Sequence, residues 1–132
     1  MKTYFTVAAV IKNKGSILIL KKSDDDYNYP GKWSFCSGYV KEFESAEDSI
    51  LREIKEETGL KAKIIKNGKI LLIKDKIKKK NWIVMNFLCE AKSLQVNLDH
   101  ENSEFKWINP KDIKKYPAVP GLKKNLKALG LL

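Results

Sequence analysis

The sequence is poor in metal-ligating soft donors, with one histidine and two cysteines among 132 residues. Cys36 and Cys89 form no C-x-x-C pair, only His100 is available to help them bind metal, and a chain of this length needs no structural zinc to fold. Two reduced, mostly buried thiols are expected instead, as in a cytoplasmic protein. No apolar run approaches the ~20 residues of a membrane span. Residues 1–10 lack the long apolar core and small-residue cleavage site of a secretory leader. No internal repeat, low-complexity tract or linker interrupts the chain. A single domain spanning residues 1–132 is expected, large enough to bury a core without disulfides.

Acidic residues are outnumbered, 16 against 26 lysines and arginines, for a formal net charge of +10. The excess gathers at Lys61, Lys63, Lys66, Lys69, Lys74, Lys76, Lys78, Lys79 and Lys80, and again from Lys111 to Lys127. Such a surface attracts anions. These lysines have few interleaved aromatics, which a single-strand stacking platform requires, so they read first as ordinary solvated surface, with attraction of anionic substrates or a nucleic-acid site as the alternatives. Hydrophobic residues make up 43%, which argues against disorder.

The pattern of elements is mixed. Tyr4–Ile11 and Ser16–Lys22 read as strands joined at Asn13-Lys14-Gly15, a hairpin. Ser23–Lys32 is a polar loop with Pro30-Gly31, and Trp33–Val40 is short and extended. From Ser45 the period changes: Ala46, Ile50, Leu51 and Ile54 recur at helical spacing. Ser45 is placed to cap the start and Gly59 to end a helix over Ala46–Thr58. Lys61–Lys74 and Trp82–Ala91 read as two strands around the lysine-rich turn Asp75–Lys80. Phe105–Ile108 is a short strand, Pro110 opens a helical turn, and a last helix follows Pro120-Gly121 and ends near Leu129. An α/β fold follows.

On the central helix, Glu53, Glu56 and Glu57 stand at i, i+3 and i+4 and share one face. Like charges at this spacing repel, a cost that a hard cation among the carboxylates offsets. Acidic helix surfaces are common, so the helix alone leaves this open. The flanks add to it. Gly38 is followed after five residues by Glu44, after seven more by Arg52-Glu53-Ile54, then by Glu56-Glu57 and Gly59-Leu60. Residues 38–60 thus resemble the Nudix box, G-x₅-E-x₇-R-E-U-x-E-E-x-G-U with U aliphatic, at every defined position. A chance match in a chain of this length is on the order of 10⁻⁸ at average residue usage. Lysines at the end of the hairpin, Pro30-Gly31-x-Trp33, and His100-Glu101 before Phe105-x-Trp107 are similar to the small MutT-like members. Ser37 and Phe43 stand where relatives usually carry glycine.

The resemblance implies an α/β/α sandwich with a mixed sheet between helices. It implies Mg²⁺, with Mn²⁺ as a substitute, held by Glu53 and Glu57 with Glu56 close by and a backbone carbonyl at Ser37 or Gly38. Arg52 and Glu44 become an ion pair orienting the helix. Glu56, Glu57 and Glu101 are the candidates for the base that takes a proton from water. His100 reads as a surface residue. Lys21 and Lys22 are candidates for phosphate contact, and Tyr29, Trp33 and Phe35 for contact with a base, with strand-end and core positions the ordinary alternatives. Trp82 and Trp107 read as packing residues. The proline that often follows the box in ADP-ribose hydrolases and the extension of NADH hydrolases are absent, which leaves a nucleoside triphosphate pyrophosphohydrolase, monomer or homodimer. ADP-ribose or nucleotide-sugar hydrolysis and a catalytically silent nucleotide- or RNA-binding domain are the alternatives. The asparagine that reads oxidised guanine in some relatives has no counterpart in Pro117-Ala118-Val119-Pro120.

Overall fold

The computed structural model describes residues 2–132. Strands β1 (Lys2–Asn13) and β2 (Ser16–Lys22) form the expected hairpin, tied at Lys12↔Ile17 and Asn13↔Ser16. β1 is longer than its apolar run suggests because β7 (Lys80–Ala91) runs parallel to it from Lys2↔Lys80 to Lys12↔Glu90. The opposite edge of β1 is shared. β2 takes its end, and β4 (Cys36–Tyr39) takes Thr6 to Ala9 in antiparallel register. β2 also pairs with β3 (Trp33–Ser34) and with β8 (Asn102–Ile108), so the sheet forks beside β1.

The stretch read as one strand from Lys61 to Lys74 is two, β5 (Ala62–Asn67) and β6 (Leu71–Asp75), which share one edge of β7. The break is at Gly68. A Cβ there would lie 2.9 Å from Leu129 Cδ2 and 3.1 Å from the Ala128 carbonyl, so the chain end packs where a side chain would stand. Asn86 of β7 spans the gap, its Nδ2 donating to the Lys69 carbonyl at 2.9 Å. β8 begins at Asn102 rather than Phe105, because Lys22↔Asn102 and Lys21↔Glu104 extend its ladder with β2.

Helix α1 (Ala46–Thr58) has the expected bounds, with Ser45 accepting from the Asp48 amide and Gly59 closing it in the left-handed region. Ile50 and Ile54 pack on one face of the sheet against Val7, Ala9, Ile11 and Phe87. Helix α2 (Leu122–Ala128) packs on the other face, with Leu122 and Leu126 against Val10, Ile19, Trp33 and Leu88. Alternation along β1 therefore feeds two cores, giving the α/β/α layering. Pro110–Lys115 is a single 3₁₀ segment. Among the described residues no helix is long and apolar enough to cross a membrane.

Candidate active site

One face of α1 meets β4. Gly38 lies in direct contact with Glu53: a Cβ there would fall 2.2 Å from Glu53 Cδ and 2.4 Å from its Oε1. The glycine is needed for approach rather than for an unusual backbone angle. Arg52 sits among three carboxylates. It donates to Glu44 through Nε at 2.8 Å and Nη2 at 2.9 Å, to Glu53 at 2.7 Å and to Glu56 at 3.2 Å. The fork to Glu44 ties the helix to the loop that precedes it, and the Arg52 hydrogen bonds hold the Glu44 carboxyl down at about 2.

Glu57 is only 4% exposed. It accepts from Cys36 Sγ at 3.1 Å, from the Ser37 amide at 3.2 Å and from Asn102 Nδ2 at 3.3 Å. Burial is the main force raising its pKa to about 8; the Cys36 hydrogen bond opposes that rise and the neighbouring Glu53 charge adds to it. Burial likewise raises Glu53, with Arg52 opposing. Cys36 is pushed well up by burial and then by Glu57, so it stays a thiol and a donor.

Asn102 was not among the sequence candidates. It also donates to Asp99 Oδ1 at 3.4 Å, and that oxygen accepts the Glu101 amide at 3.2 Å. The loop that carries Glu101 is thereby tied to α1. Nothing local in the sequence marks Asn102, since its role arises only when β8 is laid beside β2.

A cavity of about 560 Å³ opens over this region. Glu53, Ser37, Gly38, Lys22, His100 and Glu101 line one part of it. Tyr27, Tyr29, Tyr39 and Trp82 form an aromatic side. Tyr29 donates to Asp75 Oδ2 at 2.8 Å, and burial leads the rise of its pKa to about 12. Phe35 both lines the cavity and belongs to the second core. Other candidates lie elsewhere. Lys21 pairs with Glu104 at 3.1 Å, away from the cavity lining. Trp33 is buried, edge-on to Tyr116 at 5.4 Å, and is a core residue. Glu56 is turned to Arg52 on an exposed face, and Glu57 is enclosed beneath the lining. Trp82, read as packing, does both jobs: it stacks on Tyr4 at 4.9 Å and faces the cavity.

The donor set fits a hard divalent cation in kind. Two carboxylates one helical turn apart are held where burial and mutual repulsion disfavour their charge, and a cation relieves both effects. Among the described residues no three ligating side chains already converge on one point. Each carboxylate is turned onto a protein donor with which a cation would compete.

The family model described as NUDIX domain matches residues 2–129. The chain belongs to the Nudix family. Nucleoside triphosphatase NudI of Escherichia fergusonii is 29% identical over 142 aligned positions that cover all of both chains. The crystal structure of a MutT protein from Methanosarcina mazei Go1 is 26% identical, with a TM-score of 0.77 over 93% of this chain and 88% of that one. A Nudix hydrolase from Nitrosomonas europaea, at 19% identity, shares the fold with a TM-score of 0.84 over 97% and 88%. As a Nudix hydrolase this protein is an enzyme that acts on phosphoanhydride bonds.

Proposed function

We propose that this Nudix domain is a Mg²⁺-dependent nucleoside triphosphate pyrophosphohydrolase that releases a nucleoside monophosphate and pyrophosphate, with Mn²⁺ as a substitute ion. The observation that carries the reading is full-length similarity to a nucleoside triphosphatase, joined to an intact set of box carboxylates beside a cavity of nucleotide size. Residues 1–132 act as one domain in this reading, in the cytoplasm.

Glu53 and Glu57 would hold the ion, with Glu56 and the Ser37 or Gly38 carbonyl as further oxygen donors. When bound, the ion neutralises phosphate charge and makes nearby water more acidic. Lys22, which lines the cavity, takes a phosphate oxygen. Arg52 positions Glu53 and, through Glu44, fixes the approach of α1 to its loop. Of the three candidate bases, Glu101 lines the cavity and is in no ion pair among the described residues. It is the group that takes the proton from the attacking water, on a loop held by Asp99 and Ser23.

The test is a panel of nucleoside triphosphates, ADP-ribose and nucleotide sugars, incubated with the protein and Mg²⁺, with products identified. Monophosphate and pyrophosphate from triphosphates are expected. AMP with ribose 5-phosphate as the dominant product would replace the reading with ADP-ribose hydrolysis. No turnover of any compound would replace it with a silent binding domain.

A further inference from the structure

Part of the cavity lining differs in chemistry from the carboxylates. Ala8, Phe35, Ile73, Val84 and Leu122 make it apolar, and Asn125 of α2 adds a carboxamide to the lining. The placement of α2 is specific. Gly121 has φ +87° and would, with a Cβ, strike Ile73 Cδ1 at 2.6 Å, so the helix start sits directly on the cavity wall. The Asn125 amide then donates to the Gly121 carbonyl at 3.0 Å, fixing the side chain one turn further on. Its Oδ1 is buried with no protein donor.

A buried acceptor without a donor is unfavourable in an apolar wall, and it is rare enough in folded proteins to call for a cause. The outer torsion of asparagine is broad, so the carboxamide turns toward the cavity at little cost. It then offers an acceptor and a donor side by side, the complement of a base edge that places an N–H next to a lone pair. The charged part of a nucleotide belongs beside Lys22 and Glu53, which leaves the flat base for the apolar lining.

We propose that Asn125 is a specificity-determining residue that reads the hydrogen-bonding edge of the nucleobase against the apolar wall of the cavity. This rests on the triphosphate reading above. Two variants test it: Asn125→Leu, similar in size and apolar, and Asn125→Asp, which removes the donor. The values of kcat/KM for ATP, GTP, CTP and UTP are measured for each protein, together with the melting temperature.

The native enzyme prefers one base over the least favoured. In Asn125→Leu that preference shrinks by roughly 5- to 100-fold, mainly through KM of the favoured substrate. Its melting temperature rises by about 2–4 °C, because the unpaired acceptor is gone. Asn125→Asp reorders the series toward bases that carry an amino group. A base preference unchanged in both variants overturns the inference and leaves the triphosphate reading standing. So does an equal loss on all four substrates with a lower melting temperature, the sign of a structural role. If the native protein splits none of the four, the triphosphate reading falls and this inference with it.

Discussion

Replacing Gly38 with alanine separates activity from folding at this site. The new Cβ would stand 2.2 Å from Glu53 Cδ, 2.4 Å from Oε1 and 2.6 Å from Oε2. Ordinary contact begins near 3.4 Å, so the carboxylate must move by about 1.2 Å (3.4 less 2.2). The obstruction is the far end of a flexible side chain, which gives way more easily than backbone. Gly38 also lies outside the left-handed region, so alanine meets no backbone strain. Alanine in a strand regains about 0.5–1 kcal/mol over glycine, and a weakened Arg52–Glu53 hydrogen bond loses about 1 kcal/mol. These nearly cancel, and the melting temperature stays within about 4 °C of native. Catalysis fares differently, since misplacement of a reacting group by about 1 Å costs on the order of 10²-fold. Pyrophosphate release across a Mg²⁺ titration measures it, with kcat/KM expected to fall about 10²-fold. Glu53→Gln alone is also expected to fold and to lose most activity. Adding Gly38→Ala to Glu53→Gln costs little more, because both act through one carboxylate. A Gly38→Ala enzyme within threefold of native activity refutes the reasoning, and so does one whose melting temperature falls by more than about 8 °C.

The metal-free protein should lose stability as pH rises from about 5 to 8. Glu57 has its folded pKa raised to about 8 by burial, so over that window the folded state keeps a proton that the unfolded chain releases. This stability is full below the ordinary glutamate pKa and is gone above about 8. Thermal melts at pH 5.5 and 8.5 check the sign; Mg²⁺ should restore more at the higher pH, and Glu57→Gln should flatten the dependence. Glu44 works in the opposite sense, its support lost only as pH falls toward 2, below this window. Thr58→Val should destabilise by about 1–3 kcal/mol in chemical denaturation. Its hydroxyl donates to the Ile54 carbonyl at 2.6 Å and accepts the buried Leu60 amide at 3.1 Å, which valine leaves unpaired. An unchanged midpoint would mean that the amide finds another partner.

Helix α1 was legible because every signal that defines it is local. The apolar period, the Ser45 cap and the Gly59 stop lie within fifteen residues, and the box spacing adds the charged face. Gly68 carried no comparable signal. Its strand break depends on Leu129 and Asn86, which only the folded chain brings to it. The contacts of Asn102 and Cys36 with Glu57 are of the same kind. Trp33 and Trp82 show the limit for aromatics. Trp33 reads as a candidate for contact with a base and Trp82 as packing, and only strand pairing decides that the first turns to the α2 core and the second to the cavity.

The position of β1 has a consequence for how the chain is made. Its whole length from Lys2 to Lys12 pairs with β7, whose last residue is Ala91. During synthesis the hairpin and α1 are complete well before that partner leaves the ribosome. Until then one edge of β1 lacks its partner, and Val10 on the other face still awaits α2. Long-range parallel pairing is slow to form, and an uncovered strand edge invites pairing with another chain. The nascent protein is therefore most vulnerable to aggregation between translation of β2 and of β7, and slower elongation lengthens that interval rather than shortening it.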